Sequence, residues 1–242
     1  VSEVTALCRA DHPLNTYHYK APDALDARIA AHILPLVRDG DTLQVGIGGI
    51  PNAVGSFLTN KQDLGIHSEM FTSCMMDLIN AGVITGKKKT FDRGLHVCAF
   101  AEGVPELYDF LSAREDCILR TGRDVVDPFQ IAKQDNMVSI NTLVEMDLTG
   151  QVCAESIGPK QISGSGGAFC FAYGTYRSKG GRSILAFSAR SGKGHSKIKA
   201  SLTPGAVVTT PRNYVDYIVT EFGIAQLKGK TIRERAQQLI SI

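Results

Sequence analysis

Apolar residues recur along the chain with two alternating periods, one typical of helices and one of short strands. Between Ala24 and Val37 the spacing is helical, with Pro35 near the end and Gly40 as a stop signal. Short apolar runs predict strands at Thr42–Gly46, Gly65–Met70, Leu95–Ala101, Met137–Ile140, Val152–Ile157, Ser183–Phe187, Val207–Thr209 and Tyr217–Thr220. Further helices are predicted at about Asn52–Leu58 and at Ser73–Ala81, Pro105–Ser112 and Thr231–Ile240. This alternation predicts an α/β fold with an open, mostly parallel sheet flanked by helices.

The domain organisation is simple. Composition does not change sharply along residues 21–242, which we interpret as one domain. Residues 1–20 form a lead-in segment, in which Val1–Leu7 alternates like the end of a strand.

Composition narrows the function classes. Hydrophobic residues make up 43% and charged residues 21% of the chain, and the net charge of +2 lies far from that of a nucleic-acid binder. No apolar run is long enough to span a membrane, and the first residues do not form a signal peptide, so we expect a cytoplasmic protein. The cysteines and histidines lack metal-ligand spacing, so we predict no metal site and no permanently bound cofactor.

A glycine-rich run follows the strand predicted at Thr42–Gly46. Gly46, Gly48 and Gly49 let backbone approach a ligand closely, and the helix after Ile50 and Pro51 would favour an anion. The run lacks the spacing of a P-loop or dinucleotide fingerprint, so a plain tight turn is an equal interpretation.

Glu69 is predicted at the carboxyl end of a strand, the edge of an α/β sheet where ligands bind. A carboxylate there can act as nucleophile or general base, although a solvated loop glutamate is the simpler interpretation. Later in the chain, Gly164, Gly166 and Gly167 can point amide N–H groups at one spot and bind an anion or oxyanion, or can form a flexible surface loop.

Two further segments carry charge. Glu221 follows the strand predicted at Tyr217–Thr220. Lys193 and Lys197 lie in a glycine-containing basic loop that could meet phosphates or could be a solvated turn.

Taken together, these segments resemble a known family. The runs that carry the resemblance are Leu43–Val54, Leu64–Phe71, Asp77–Thr90, Asp135–Asn141, Asp147–Val152, Ala154–Gly158, Pro204–Thr210 and Val219–Lys230. They resemble, in order and over nearly the whole chain, the acetyl-CoA hydrolase/transferase family, which includes 4-hydroxybutyrate and acetate/butyrate CoA-transferases.

The resemblance implies a covalent relay at Glu69, the family's nucleophile position. The glutamate attacks the acyl-CoA thioester to give an acyl-glutamyl anhydride and CoA thiolate, and the thiolate then converts the anhydride into a glutamyl-CoA thioester. A second carboxylate takes the CoA by the reverse route. The Gly167 N–H is implied as an oxyanion donor, and the other segments named above as contacts of CoA or substrate.

The resemblance also implies substrates and partners. The substrates would be acyl-CoA and short-chain carboxylates: acetate, butyrate, 4-hydroxybutyrate or a related acid, including dicarboxylates such as itaconate or succinate. Residues 1–20 resemble the tail of a first domain, residues 21–242 a second, catalytic CoA-transferase domain, and we expect a homo-oligomer that binds neither nucleic acid nor membrane.

The chain departs from the family pattern at several positions. Pro159 replaces a glycine, Cys170 an aspartate and Val126 an asparagine near CoA, and Thr72–Cys74 replaces a Ser-Asp-Gly run. These changes flank the substrate site, so they bear on acyl specificity more than on reaction type. The alternatives are an acyl-CoA hydrolase that uses the same glutamate and a non-catalytic CoA-binding domain.

Overall fold

The computed structural model describes residues 5–6, 8–17 and 21–242, so most of the strand end predicted at Val1–Leu7 lies outside the described residues. The helices are α1 Ala24–Ile33, α2 Gly49–Phe57, α3 Ser73–Asn80, α4 Pro105–Ser112, α5 Gly122–Val125, α6 Pro128–Lys133, α7 Ala168–Arg177 and α8 Ile232–Ile240. The strands are β1 Thr42–Val45, β2 Gly65–Phe71, β3 His96–Ala101, β4 Cys117–Leu119, β5 Met137–Asn141, β6 Glu145–Asp147, β7 Val152–Cys153, β8 Ser156–Ile157, β9 Lys160–Gln161, β10 Arg182–Ala186, β11 Ile198–Lys199, β12 Tyr217–Thr220 and β13 Gly223–Gln226. None of these helices is long and apolar enough to cross a bilayer.

An eight-stranded sheet organises the molecule, with the strand order β13-β12-β10-β5-β1-β2-β3-β4. Its strands pair in parallel except β13, which forms an antiparallel hairpin with β12. Strands β2, β3 and β4 are therefore added in chain order on one side of β1, and β5, β10, β12 and β13 are added in chain order on its other side. The order reverses between β1 and β5, and ligands bind at the carboxyl ends of strands near such a reversal. The predicted fold class is confirmed.

The reversal also places helices on both faces of the sheet. Right-handed crossovers put α2, α3 and α4 on one face, and the change of direction puts α7 on the other. Buried side chains of α1, α2 and α3 pack with those of β1 and β2 in the largest core cluster. On the opposite face, Val125 of α5, Ile131 of α6 and Phe171 of α7 pack against Val97 and Met137.

Local signals explain several boundaries. Asp23 and Asp26 form a capping box that starts α1, and the chain tightens into a 3-10 turn at Leu34–Leu36, where Pro35 sits. α2 begins three residues earlier than the predicted Asn52, because Pro51 is tolerated in the first turn of a helix.

Other predictions were wrong. Val207–Thr209 is not a strand: the chain has just turned at Gly205 (φ 83°), and it forms only an isolated bridge between Thr210 and Val152. Val152–Ile157 is divided into β7 and β8, which pair with different partners. The helix α7 was missed because glycines and aromatic residues in Ala168–Arg177 obscure its periodicity.

Candidate active site

Glu69 lies near the carboxyl end of β2, within the eight-stranded sheet and two strands from its β4 edge. Successive strand side chains alternate between faces, so Glu69 shares a face with His67. Its side chain is half-buried. The predicted position toward the carboxyl end of a strand is therefore the observed one.

The Gly167 backbone N–H donates a hydrogen bond of 2.9 Å to Glu69 Oε2. Gly167 is the N-cap of α7, and this helix runs back toward the amino end of β10, which puts its N-terminus at the carboxyl edge of the sheet. An anion is favoured there by the unpaired N–H groups and the helix dipole. An ideal Cβ on Gly167 would lie 2.5 Å from Glu69 Oε2, so only glycine leaves room for this contact. Gly166 has a φ of +52° in the turn before it, whereas Gly164 is exposed with no atom near its Cβ position.

Two uncharged side chains, Val126 and Cys170, lie near Glu69 and Gly167. Val126 Cγ1 lies 3.1 Å from the ideal Cβ position of Gly167. Cys170, in the first turn of α7, is half-buried; burial raises the pKa of its thiol, and the charges of Glu69 and Asp127 raise it further. Val126 and Cys170, two departures from the family pattern, thus lie beside the candidate nucleophile.

Pro159, another departure from the family pattern, packs against a neighbouring loop. Pro159 occupies the two-residue turn between β8 and β9, where it packs against Gly205.

The glycine-rich run after β1 has structural reasons for its composition. A Cβ on Gly46 would lie 3.0 Å from Asn141 Oδ1, one on Gly49 would collide with the Asp26 carboxylate, and Gly48 has a φ of +117°. The side chains of Ile50 and Pro51 are buried. The run lies next to the reversal between β1 and β5, and its role in substrate binding stays a prediction.

The second group of predicted residues gathers around the ends of β10 and β12. Glu221 Oε2 accepts a hydrogen bond of 2.8 Å from Ala189 N, and Lys197 Nζ donates one of 2.9 Å to Ser188 Oγ. Burial lowers the pKa of Lys197, and the nearby Glu221 charge opposes that shift. Lys193 is exposed.

This second group does not contact the nucleophile directly. β10 is three and β12 four positions from β2 in the sheet, about 14 and 19 Å at the usual strand spacing of ~4.8 Å. The structure therefore brings Glu69, Gly166 and Gly167 together and leaves Lys193, Lys197 and Glu221 at another part of the same edge.

Sequence reasoning missed His67, a neighbour of the site. Its side chain is 2% exposed and lies beside a cavity of about 320 Å³ lined also by Phe91, Arg120, Asp124 and Gln130. Its position two residues before Glu69 in a strand was the available signal, because that spacing puts both on one face.

A larger cavity of about 720 Å³ lies elsewhere, near the ends of β3 and β4. It is mainly apolar and contains none of the predicted site residues. Over the described ranges, no group of three or more histidine, cysteine or acidic residues is arranged to hold a metal ion.

Residues 103–242 match the family described as the acetyl-CoA hydrolase/transferase C-terminal domain. The match covers more than half of the chain, so the chain belongs to this family.

Individual relatives refine this assignment. Over its full length the chain is 49% identical to a 4-hydroxybutyrate coenzyme A transferase of Clostridium kluyveri and covers 57% of that protein. It is 41% identical, also over its full length, to a probable butyrate:acetyl-CoA coenzyme A-transferase of Syntrophomonas wolfei and covers 56% of it. The crystal structure of a 4-hydroxybutyrate CoA-transferase from Porphyromonas gingivalis superposes with a TM-score of 0.85 at 40% identity, covering 99% of this chain and 57% of that one. An acetyl-CoA hydrolase of Neurospora crassa is only 25% identical, over 99% of this chain and 43% of that protein. The chain thus spans a little over half the length of the transferases it matches.

Proposed function

We propose that the protein containing this chain is a CoA-transferase that moves CoA between short-chain carboxylates, with Glu69 as the covalent carrier. The observation that carries the proposal is the 2.9 Å hydrogen bond from the Gly167 N–H to the Glu69 carboxylate at the start of α7. Its family membership and its 49% identity to a 4-hydroxybutyrate transferase support the same reaction.

In the first step, Glu69 attacks the thioester carbonyl carbon of acyl-CoA. Oε2 is held by Gly167, so Oε1 is the oxygen that remains to attack. The C–S bond breaks, the electron pair leaves with CoA as thiolate, and an acyl-glutamyl anhydride remains. The hydrogen bond orients the carboxylate before the reaction.

In the second step, the CoA thiolate attacks the glutamyl carbonyl carbon. The negative charge develops on the glutamyl carbonyl oxygen, which is the Oε2 that Gly167 already holds. The N–H therefore becomes an oxyanion donor without moving, a contribution typically worth 10²–10³ in turnover, or about 3 kcal/mol. The carboxylate product leaves, and the acceptor carboxylate reverses both steps to collect CoA.

Hydrolysis is the alternative outcome at the same glutamate. It requires water to reach the glutamyl thioester before the acceptor carboxylate does. The three named transferases are 40–49% identical to the chain and the hydrolase 25%, which favours transfer. A non-catalytic CoA-binding domain would not need a glycine at position 167, where the lack of a side chain leaves room for the Glu69 carboxylate.

Substrates and partners follow from the reaction. Acyl-CoA and a carboxylate are consumed, and we propose that no resident cofactor takes part. The relatives extend well beyond the region matched by this chain. We propose that a further domain covers the Glu69 edge, with residues 21–242 as the catalytic domain and residues 1–20 as its lead-in, and that the assembled protein forms a homo-oligomer.

The decisive experiment replaces Glu69 in the native polypeptide. Glu69→Gln keeps the size of the side chain but removes the nucleophile, so transfer from acetyl-CoA to butyrate should fall by at least about 10⁴-fold, and the covalent CoA adduct seen by intact mass should disappear. Glu115→Gln, at an exposed position between α4 and β4 and outside the candidate site, is the matched control and should still form the adduct. A Glu69→Gln protein that still carries the CoA adduct would refute the assignment.

A further inference from the structure

One buried side chain, His67, contacts two helices that build the site around Glu69. His67 Nε2 lies 2.9 Å from the Val125 carbonyl oxygen at the end of α5. Its ring packs edge-on against Phe171 of α7, with ring centroids 6.4 Å apart. Through its backbone His67 also belongs to β2, two residues before the nucleophile. The imidazole thus links β2, α5 and α7.

The chemistry of these contacts defines the tautomer of His67. A carbonyl oxygen only accepts hydrogen bonds, so the ring proton must be on Nε2. Burial lowers the pKa of His67 to about 4, which keeps the ring neutral at physiological pH. Nδ1 has no hydrogen-bond partner among the described residues. The imidazole therefore acts through a single donor and its ring faces.

Both contacts lead directly to the groups around the nucleophile. Val125 is followed by Val126, whose Cγ1 lies 3.1 Å from the ideal Cβ position of Gly167. Phe171 N donates a hydrogen bond of 2.9 Å to Gly167 O, so the residue whose ring packs on His67 is hydrogen-bonded directly to the Gly167 backbone. A change at His67 would therefore reach Glu69 from the α5 side and from the α7 side.

We propose that His67 is a positioning residue for the transfer reaction: it holds α5 and α7 where the Gly167 N–H meets the Glu69 carboxylate. This inference rests on the proposed role of Glu69 as nucleophile. The contact between Gly167 and Glu69 is close, and misplacing a catalytic group by about 1 Å can lower turnover by about 10²-fold. A short helix such as α5, with four residues, depends on such side-chain contacts for its position.

His96 offers a matched control. It is also 2% exposed, and burial lowers its pKa to about 4 as well. It lies on the neighbouring strand β3, where Val97 is the residue in register with His67, so the His96 side chain points to the opposite face of the sheet. Its polar neighbour is the Asp116 carboxylate, with 3.7 Å between Nε2 and Oδ2, rather than a residue of the site.

The test compares His67→Leu, His67→Gln, His67→Asn and His96→Leu in the native polypeptide. Each variant is measured for thermal midpoint and for kcat and KM in acetyl-CoA to butyrate transfer. The glutamine amide can place an N–H near the position of Nε2, whereas the asparagine amide is too short to reach Val125. We expect His67→Leu and His67→Asn to lose at least about 10-fold in kcat with KM for acetyl-CoA within about threefold, and His67→Gln to recover most of the loss. His96→Leu should lose thermal stability but keep its kcat within about twofold.

Two results would overturn the inference: a kcat of His67→Leu within about twofold of the parent protein, or a His67→Gln no more active than His67→Asn. The second comparison decides the question even if His67→Leu does not fold. If the parent protein itself forms no Glu69–CoA adduct, the proposed function fails instead. An adduct that forms normally in the parent and in every His67 variant, with unchanged kcat, contradicts only the role of His67.

Discussion

Replacing Gly167 with alanine places a methyl group where the Glu69 carboxylate lies. The new Cβ would be 2.5 Å from Oε2 and 3.1 Å from Cδ, and contacts below 3.0 Å are essentially not observed for real Cβ atoms. Oε2 must therefore retreat by at least 0.5 Å, the difference between 2.5 and 3.0 Å. Val126 Cγ1, at 3.1 Å from the same Cβ, crowds the methyl group further.

This displacement should affect catalysis far more than stability. The φ and ψ of Gly167, −82° and 4°, are accessible to alanine, and the Glu69 side chain can rotate away from the methyl group. We expect the free energy of unfolding to change by less than about 1 kcal/mol. The hydrogen bond from Gly167 N, now 2.9 Å, would be stretched or lost. Losing one such donor lowers kcat by about 10²-fold, which corresponds to an increase of about 3 kcal/mol in the activation free energy.

The assay is steady-state transfer from acetyl-CoA to butyrate, paired with unfolding in urea. Gly164→Ala is the matched control, because it lies in the same loop with no atom within 4 Å of its Cβ position, and its kcat should stay within about twofold. A Gly167→Ala protein with more than about a third of the parent turnover would refute the reasoning. Equal losses in both variants would point to the loop in general instead of the contact with Glu69.

Three further predictions concern charged groups. Burial raises the pKa of Asp216 from 3.8 to about 6, so its contribution to stability is present below about pH 4 and lost as pH rises through 6. The free energy of unfolding in urea of the parent protein, relative to that of Asp216→Asn, should therefore fall by up to about 3 kcal/mol between pH 4 and 7. A difference between the two proteins that does not change with pH would contradict this. Arg182→Met leaves Asp41, its partner in a buried 2.5 Å ion pair, uncompensated; we expect a loss of about 3–5 kcal/mol by the same method, and a loss below about 1 kcal/mol would contradict it. Lys193→Ala should raise KM for acetyl-CoA about threefold or more at low salt with kcat unchanged; a KM insensitive to both the change and salt would exclude the loop from CoA binding.

Much of the fold could be predicted from local pattern. Helix α4 was predicted with its observed bounds, Pro105–Ser112, because a proline starts it and its apolar residues follow one face. The strand at Tyr217–Thr220 was also predicted as observed. Short apolar runs between helices reveal buried strands wherever the run is bounded by polar or glycine residues.

The local sequence pattern was insufficient where pairing with another strand determines whether a segment is a strand. Val207–Thr209 has the β-branched residues of a strand, but a strand also needs a neighbour to pair with over several residues. The segment is followed by one isolated bridge, between Thr210 and Val152. The antiparallel β13 was missed for the converse reason, since a short weak run, Gly223–Gln226, is made a strand by its pairing with β12.

The same division holds at the candidate site. Strand periodicity and glycine content are local properties, so the amino-acid sequence was enough to place Glu69 toward the end of a buried strand and a glycine cluster at 164–167. The hydrogen bond from Gly167, 98 residues later, to Glu69 follows from the packed fold, as does the position of Lys197 and Glu221 several strands away. The strand order puts β2 and the start of α7 at one edge of the sheet, and no local pattern encodes which strands become neighbours. His67 shows the point most directly: its spacing from Glu69 was visible in the chain, but its contacts with Val125 and Phe171 exist only because α5 and α7 pack on the same face of the sheet.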